Sequence, residues 1–568
     1  MNLDIDKLIN EYINQSGNRA KENANQSFSY PGLLGYLLGF VTSNYALNHI
    51  YSEEAQELHE KGHIHIHDMN GLCCYCVGID YEMALNQGIL GESEPPKHFE
   101  TALGQLDTLI FQVAGQIAGA VAINSPDVLL APYIKNDGLT YKQVKQEIQQ
   151  FIYRINAKLR QNYEAPFSNF QLDITVPKRL KGMTPTIAGQ DMDFTYDDCQ
   201  QEINWFNTAL IEIMLEAKRI LPFPVLNMSI TKDFNWDNKL SQIMFTGIGQ
   251  MGLPVINNYV NSNYDPDSVK SMCCSLRLDM SKIMKSNGAF GANDNGGSIG
   301  VVTQNLALLG YLAKGNKDKL KELVREHMYA SRDILNSKRE FIEKWHKLGM
   351  YPRLQQFIPD FHAFFSTIGD AGMDEMCLNF LNIGIDTDEG VDLSLEILDY
   401  MNSILAEFQE LDKHWYNGKG IYWNLELTPI EGATRRLAQQ MHKYYPEAIT
   451  SNGSNKDYIT RGCWLPADTQ YTLKFATEHQ EKLQDKFSGG ANFNHYLESP
   501  IDDWKVVRSI VRKIVNNTTL PFISISPSVN ICPVCGSRVK LGMKCEHELT
   551  PEQIEEYKKQ GVEISEID

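Results

Sequence analysis

Two adjacent cysteines lie in the stretch Met272-Cys273-Cys274-Ser275-Leu276-Arg277-Leu278-Asp279, and a run rich in glycine and asparagine extends from Asn287 to Gly300 behind it. Glycine permits positive φ and close backbone approach, so such a run suits a chain that holds a sulfur at a loop tip inside a larger barrel. Free cysteine also packs commonly as a small buried apolar side chain. The paired cysteines therefore predict a site only together with other features of the chain.

The composition is that of an ordinary soluble globular protein, with 568 residues of which 43% are hydrophobic and 22% are charged. A formal net charge of −19 argues against general binding to a nucleic-acid backbone. Residues 1–6 lack the basic start of a signal peptide, and the most apolar early run, 31–47, is too short and too interrupted to span a bilayer. We expect a cytoplasmic protein that is neither membrane-bound nor associated with nucleic acid.

The eleven cysteines are grouped along the chain rather than spread evenly. In an intracellular protein this grouping favours metal binding or thiol chemistry over a disulfide framework. The groups are Cys73, Cys74 and Cys76, then Cys273 and Cys274, then Cys532, Cys535 and Cys545.

The pattern along the chain predicts an α/β body with a largely parallel central sheet, because strand-like and helix-like segments alternate. Predicted strands cover 169–176, 224–230, 298–303, 363–368, 421–427 and 522–525. Predicted helices include 97–122, which is rich in small residues and so suits a tight helix pair or subunit interface, and a polar helix from about Tyr141 to Leu159. We expect a loop over 124–138.

Three histidines, His63, His65 and His67, alternate along one predicted strand and share a face. That arrangement permits a metal site, but the alternating isoleucines between them are equally typical of a half-buried edge strand. Because no convergent set of further ligands accompanies them, we favour the edge strand.

Two predicted junctions from strand to helix offer hydroxyls and free N–H groups, one at 365–369 and one at 426–434. Such a junction can bind a phosphate, and simple capping of the helix explains Ser366 and Thr428 equally well.

The C-terminal region has the most specific motif. Cys532 and Cys535 form a Cys-x-x-Cys pair after a predicted strand, and Cys545 and His547 follow. Tetrahedral zinc favours thiolate and imidazole ligands, and no thioredoxin-like unit surrounds the pair, so the motif predicts structural zinc rather than a redox site. The identity of the fourth ligand, His547 here, stays open because the Cys-x-His spacing is unusually tight.

Together these motifs resemble the anaerobic, class III ribonucleoside-triphosphate reductases, which are glycyl-radical enzymes. The resemblance covers about residues 28 to 548. Its stretches are His65-Ile66-His67-Asp68, Pro95-Pro96-Lys97, Leu130-Ala131-Pro132-Tyr133, Asp173-Ile174-Thr175-Val176-Pro177, Met272-Cys273-Cys274, the run 299–306, Ser366-Thr367-Ile368-Gly369 and the zinc motif.

The resemblance implies a ten-stranded α/β barrel of two five-stranded halves, surrounded by helices, with a central cysteine loop and a small C-terminal zinc module. It places the catalytic body at 1–528 and the zinc module at 529–568. It also implies the reaction: a cysteine thiyl radical takes a hydrogen atom from the ribose 3′ carbon of a ribonucleoside triphosphate, the 2′-hydroxyl leaves as water, and two electrons restore the sugar. The protein supplies orientation and exclusion of water.

Carried over by position, the resemblance assigns the thiyl radical to Cys274, with Cys273 as the alternative, and makes Cys76 the second active-site cysteine. Substrate contacts are expected at His67, Ser298, Asn305, Ser366, Thr367, Ile368, Gly369, Glu426 and Thr428. The helices of about 97–160 resemble the family's homodimer interface, near which a nucleotide effector binds.

Two features depart from the family pattern. We expect no ATP-binding regulatory cone ahead of the catalytic body. The glycyl-radical motif Arg-Val-x-Gly-Tyr does not occur in this sequence, since Arg538-Val539-Lys540-Leu541-Gly542 does not match it. We therefore expect a separate glycyl-radical subunit or a C-terminal tail that is missing here, activated by a radical S-adenosylmethionine iron-sulfur enzyme. Formate or a small dithiol protein would be the reductant.

Two hypotheses remain. The chain is either the catalytic subunit of an anaerobic ribonucleotide reductase or a non-catalytic, zinc-stabilised nucleotide-binding relative.

Overall fold

The structure is a computed structural model that describes residues 4–14, 16, 28–158, 164–217, 219–267, 269–272, 277–279, 295–451, 457–466, 469–532, 537–540 and 543–559. Its strands are β1 (Ile64–Ile66), β2 (Val77–Ile79), β3 (Val121–Asn124), β4 (Ser168–Leu172), β5 (Thr186–Ile187), β6 (Gln190–Asp191), β7 (Val225–Ile230), β8 (Val255–Asn258), β9 (Val269–Ser271), β10 (Arg277–Asp279), β11 (Gly296–Asn305), β12 (Phe364–Ala371), β13 (Tyr422–Glu426), β14 (Phe493–Leu497), β15 (Phe522–Pro527), β16 (Val529–Ile531) and β17 (Arg538–Lys540).

The helices surround the strands. They are Ile5–Ile13, Tyr30–His49, Glu53–Glu60, Tyr81–Gln87, Phe99–Ala114, Pro126–Asn136, Tyr141–Ile155, Gln200–Glu216, Lys239–Met251, Leu306–Ala313, Lys317–Lys347, Leu354–Phe357, Met373–Leu381, Asp388–Leu411, Trp415–Gly418, Glu431–Tyr444, Leu473–Gln484, Trp504–Asn517 and Pro551–Lys559, with 3-10 turns at Tyr196–Cys199 and Glu546–Glu548.

Ten strands form one sheet in the order β13-β12-β11-β2-β3-β4-β7-β8-β15-β14, and β1 pairs with β11 beside that path. Neighbours within β2-β3-β4-β7-β8 are parallel, as are those within β11-β12-β13 and β14-β15. The pairs β2/β11 and β8/β15 are antiparallel. The sheet therefore consists of two five-stranded parallel halves that run in opposite directions, which confirms the expected fold.

The two ends of the sheet meet. The N–H of Gly489, shortly before β14, donates to the carbonyl of Leu425 in β13 at 2.7 Å, and the N–H of Leu427 donates to the carbonyl of Gly490 at 3.0 Å. These bonds join β13, at one end of the sheet, to the segment that leads into β14 at the other end. The sheet therefore closes into a barrel.

Side chains of the barrel strands alternate between the lumen and the helical layer. In β12, Phe365 packs in a small cluster with Cys76 inside the barrel, whereas Ile368 belongs to the large apolar core that the strands share with the helices. Ser366 points to the same side of β12 as Ile368. It accepts a hydrogen bond at 3.0 Å from Arg339 of the helix Lys317–Lys347. The phase of each strand therefore decides which residues can line a central site.

Several elements differ from the sequence-based predictions. The predicted helix 97–122 is wrong at its C-terminal end, because the helix ends at Ala114 and 121–124 form the buried strand β3. The predicted loop at 124–138 is also wrong, because the helix Pro126–Asn136 fills most of it. Short strands that are fully buried lack alternation, so their pattern does not separate them from helices.

Among the described helices, none combines the length and the apolar character that crossing a membrane would require.

Candidate active site in the barrel lumen

Cys76 lies at the seam between the two halves of the barrel, directly before β2, and is 1% exposed. Its carbonyl accepts the N–H of Ser298 in β11 at 3.0 Å, and its sulfur accepts the N–H of Ala120 at 3.2 Å. Backbone contacts on both sides therefore hold the thiol in place where the antiparallel halves meet.

Small residues make room for this thiol. A Cβ added to Gly119 would lie 2.6 Å from the Cys76 sulfur, and one added to Gly297 would collide with the Cys76 carbonyl oxygen. The small residues near 118–122 therefore serve close packing around Cys76 rather than the helix pair that the sequence suggested.

Met272, the last described residue before the paired cysteines, packs in the same interior cluster as Cys76 and is fully buried. The cluster also contains Ala120, Ala122, Phe365 and Tyr422. The adjoining strand β9 is fixed to the barrel wall, because the N–H of Ser271 donates to the Gln171 side chain at 2.8 Å. At Met272 the chain has therefore reached the interior of the barrel beside Cys76. Cys273 and Cys274 themselves lie outside the described residues.

The rest of the lumen lining is polar. By alternation from the interior cluster, the buried polar residues that face inward include Asn124, Asn169, Gln171, Asn227, Ser229, Asn257, Ser298, Thr303, Thr367, Asn424 and Glu426. Within the described part of the chain, both amide atoms of Asn124 and of Asn424 are buried with no hydrogen-bond partner. Buried polar groups are usually satisfied, so this lining suits a polar ligand.

A row of hydroxyls joins His67 to the barrel wall. The Nε2 of His67 lies 2.8 Å from the Thr303 hydroxyl, which lies 3.2 Å from the hydroxyl of Thr428. Burial lowers the pKa of His67 to about 3, with the positive charges of Lys338 and Arg436 adding to the effect. The imidazole is therefore neutral at physiological pH and serves as a hydrogen-bonding group.

Gly369 occupies the centre of this row. It pairs with Thr303 of β11 on one side and with Glu426 of β13 on the other. A Cβ at Gly369 would lie 2.6 Å from the hydroxyls of both Thr303 and Thr428. The missing side chain therefore lets both hydroxyls converge. Through these contacts His67, Gly369, Glu426 and Thr428 lie close together.

The other expected substrate contacts lie on different sides of their strands, some facing the lumen and some facing the helices. Ser298 and Thr367 meet in the lumen with their hydroxyl oxygens 3.1 Å apart. Ser366 and Ile368 point to the helical layer. Asn305 ends β11, accepts the N–H of Leu308 at the start of the following helix and donates to the Gly62 carbonyl at 2.8 Å.

The predicted helix start at Ser366 is wrong. Residues 366–369 lie in the middle of β12 and pair with strands on both sides, and the next helix starts only at Met373. Thr428 does not cap a helix either, because the following helix begins at Glu431 with Ile430 at the N-cap position. The two stretches that looked alike in sequence are therefore a strand interior and an extended link.

The three alternating histidines have separate partners. His63 contacts His327 at 2.9 Å and the hydroxyl of Tyr445 at 2.8 Å, whereas His65 contacts Arg436 at 3.3 Å. Among the described residues they form no group that could hold a metal ion.

Arg461 was missed by the sequence analysis. Its guanidinium donates to the carbonyl of Thr428 at 2.8 Å and to that of Leu427 at 3.1 Å. The segment around it also binds the end of β12, because Gly372 donates to Thr460 and Met373 donates to Gly462. An arginine far along the chain carries no local pattern that would reveal this role.

Comparison with known proteins identifies the family. The sequence model described as anaerobic ribonucleoside-triphosphate reductase matches residues 22–558. The chain belongs to this family.

Individual relatives agree with that assignment at low identity. The anaerobic ribonucleoside-triphosphate reductase of Salmonella typhimurium is 24% identical over 350 residues, which are 55% of this chain and 46% of that protein. The chain thus aligns to about half of that relative. The reductase of Enterobacteria phage T4 is 24% identical over 606 residues, covering 97% of this chain and 92% of the phage protein.

Solved structures show the same fold. The anaerobic ribonucleotide reductase from Thermotoga maritima, in complex with dATP and CTP, superposes with a TM-score of 0.71 at 18% identity, covering 94% of this chain and 91% of that chain. The ten-stranded barrel of the reductase family is therefore present here.

The C-terminal motif of this reductase-family chain forms a cluster of metal-ligating atoms. The sulfurs of Cys532 and Cys545 and one imidazole nitrogen of His547 all lie within 4.8 Å of one another. The hairpin β16/β17 positions Cys532, whose N–H donates to the Ser537 carbonyl at 2.9 Å. Two thiolates and an imidazole fit tetrahedral zinc. Cys535, the remaining expected ligand, lies outside the described residues.

Proposed function

We propose that this chain is the catalytic subunit of an anaerobic ribonucleotide reductase that converts ribonucleoside triphosphates to 2′-deoxyribonucleoside triphosphates. The observation that carries the proposal is the position of Cys76, a buried thiol in the barrel lumen, in one cluster with the residue that precedes Cys273. Family membership sets the reaction class.

In this proposal Cys274 carries the thiyl radical, with Cys273 as the alternative. It takes a hydrogen atom from the ribose 3′ carbon and returns that atom at the end of the cycle, which regenerates the thiyl radical. Cys76 is the second thiol of the site. Loss of the 2′-hydroxyl as water consumes two electrons and two protons. Formate, oxidised to carbon dioxide, or a small dithiol protein, oxidised to its disulfide, supplies the electrons.

The polar lining orients the nucleotide. We assign the ribose to the region of Ser298, Thr367 and Glu426, which are all buried. Ser298 pairs with Phe365 of the cluster around Cys76, and Glu426 pairs with Gly369 further along the lumen. The neutral imidazole of His67 and the hydroxyl of Thr428 offer hydrogen bonds to the hydroxyl or phosphate groups further along the lumen. Asn305 supports this end of the site by fixing the helix that follows β11.

A glycyl radical would generate the thiyl radical when it is supplied. We place its glycine outside residues 1–568, on a separate subunit or on a C-terminal continuation, because no Arg-Val-x-Gly-Tyr occurs in the sequence. A radical S-adenosylmethionine enzyme is its proposed activase. Zinc held by Cys532, Cys535, Cys545 and His547 has a structural role in the module 529–568.

We assign subunit pairing and effector binding to the region of 97–160. The helices Phe99–Ala114 and Tyr141–Ile155 pack against each other there, next to the barrel.

Anaerobic turnover tests the proposal. The chain is mixed with activase, a glycine-bearing segment, reductant and ribonucleoside triphosphate, and the deoxynucleotide is measured. We expect product from the wild type and from Cys463→Ala, and none from Cys274→Ala or Cys76→Ala. Undiminished product from both of the last two variants would contradict the assignment, and nucleotide binding without product under all combinations would favour a non-catalytic relative.

A further inference from the structure

The helix Tyr30–His49 presents an unusual surface. Its buried side contains Gly32, Tyr36, Gly39, Ser43 and Ala46 and packs on the protein. Between Tyr30 and Leu47, every residue of the helix that is exposed is apolar or aromatic, and these residues are Tyr30, Leu34, Leu38, Val41 and Tyr45. Their exposed fractions are 73%, 49%, 56%, 53% and 41%.

These five residues, the apolar stripe, lie on one line. Their spacing of four, four, three and four residues keeps them within one narrow face of an α-helix. From Leu34 to Tyr45 the spacing alternates between four and three residues, which is typical of a helix that packs against a second helix along its length. The stripe therefore has the geometry of a seam.

The order of side chains in the stripe is the same in both directions. It reads aromatic, aliphatic, aliphatic, aliphatic, aromatic from Tyr30 to Tyr45 and equally from Tyr45 to Tyr30. In an antiparallel pair of identical helices, Tyr30 would face Tyr45, Leu34 would face Val41, and Leu38 would face its own copy. A two-fold interface requires this kind of self-complementary surface.

Charge also favours a second copy as the occupant. The chain carries a net charge of −19, yet residues 23–52 contain no Asp, Glu, Lys or Arg. Two copies can therefore approach here without direct charge repulsion. Helices that lie on a membrane surface usually carry Lys or Arg on their polar face, and this helix has none.

The area is sufficient for a weak interface. Fully burying a large side chain removes roughly 150–250 Å² from water, so the stripe as exposed offers on the order of 500 Å² per copy. A pair would bury about 1,000 Å² in total, which is near the lower end of specific interfaces. We expect a weak association through this surface that reverses on dilution, in addition to any pairing through 97–160.

We propose that the apolar stripe of the helix Tyr30–His49 is a self-association surface, at which two copies of this chain pair antiparallel about a two-fold axis at Leu38. This surface is separate in sequence from the proposed subunit interface at 97–160. It does not depend on the proposed reaction, since no thiol or nucleotide contributes to it.

Cysteine cross-linking tests the geometry in the full chain. Leu38→Cys, oxidised mildly, gives a covalent dimer, because position 38 faces itself. Tyr30→Cys alone stays at the wild-type level, and Tyr30→Cys combined with Tyr45→Cys cross-links. The unmodified chain under the same oxidant controls for its own cysteines. Cross-linking of Tyr30→Cys alone, or none by Leu38→Cys, overturns the antiparallel pair.

Sedimentation over a range of concentrations tests the association itself. Leu38→Glu shifts the dissociation to at least tenfold higher concentration, whereas Ala406→Glu, which adds the same charge to an exposed helix position, leaves it unchanged. Equal behaviour of wild type and Leu38→Glu refutes the proposal. The proposal is also refuted if the wild type binds phosphatidylcholine vesicles, Leu38→Glu abolishes that binding, and the two proteins show the same association state in solution.

Discussion

The N–H of Ala120 donates a hydrogen bond to the sulfur of Cys76 at 3.2 Å. This contact joins the start of β3 to the thiol at the seam of the barrel, and it exists because Gly119 has no side chain to separate them. The position of the thiol is therefore set by backbone atoms, which leave little freedom for it to move.

Gly119→Ala should displace Cys76. The added Cβ would lie 2.6 Å from the sulfur and 3.0 Å from the Tyr75 carbonyl oxygen, so the strand or the thiol must shift. We expect a loss of about 1–3 kcal/mol in unfolding free energy and faster alkylation of Cys76 by iodoacetamide. Gly115→Ala is the matched control, since its nearest neighbours lie at 3.6 and 3.7 Å. Equal alkylation rates in both variants would rule out the packing argument.

Thr428→Val should weaken nucleotide binding. It keeps the shape of the side chain and removes the hydroxyl that lies 3.2 Å from Thr303. We expect the Kd for ribonucleoside triphosphate to rise about fivefold or more by calorimetry, in line with about 1 kcal/mol for a hydrogen bond. Thr477→Val is the control, because the Thr477 hydroxyl bonds only to carbonyls of its own helix in the contacts that the structure describes. An unchanged Kd for Thr428→Val would remove this residue from the site.

Cys532→Ser should abolish metal binding and loosen the C-terminal module. Anaerobically purified wild type should contain one zinc per chain, and the variant should contain none. Amide hydrogen exchange should rise in 529–559 more than in the barrel strands, because metal binding contributes directly to folding of small modules. Glu548→Gln, beside His547, should retain the metal. A wild-type chain without zinc would contradict the assignment.

Asp370→Asn should change the pH dependence of stability. Burial raises the pKa of Asp370 to about 7, and neither carboxylate oxygen has a hydrogen-bond partner in the described structure. The folded state therefore holds this proton more tightly than the unfolded state, and wild-type stability falls as the pH rises from about 4 towards 7. The stability of Asp370→Asn relative to wild type should grow by at least about 1 kcal/mol over that range. If the melting temperatures of wild type and Asp370→Asn changed equally with pH, this prediction would be wrong. Asp392→Asn, at an exposed position, is the control.

The sequence predicted those parts of the molecule that have strong local patterns. Strands such as β11 and β12 and the helix Met373–Leu381 appear in the hydrophobic pattern, and the resemblance supplied the two-half barrel. The strand β3 was missed because its fully buried residues, with small neighbours, look like part of a helix. Arg461 and Thr303 were missed because their roles arise from contacts with residues far away in the chain.

The sequence also did not show which side chains of a strand face the lumen. The motif Ser366-Thr367-Ile368-Gly369 was expected to act as a unit, yet alternation sends Thr367 and Gly369 to the lumen and the other two to the helices. A run of sequence identifies such a strand without showing which residues face the site. Register and neighbouring strands are needed for that.

Disulfide mapping tests whether the thiols of Cys76 and Cys274 meet in the barrel lumen. The chain with Cys273→Ser is oxidised mildly while folded, digested without reduction and examined by mass spectrometry. We expect a peptide that joins Cys76 to Cys274 and that is lost in Cys76→Ser. A Cys274 that stays unpaired, or that pairs only with a cysteine other than Cys76, would contradict the convergence of the two thiols in the lumen.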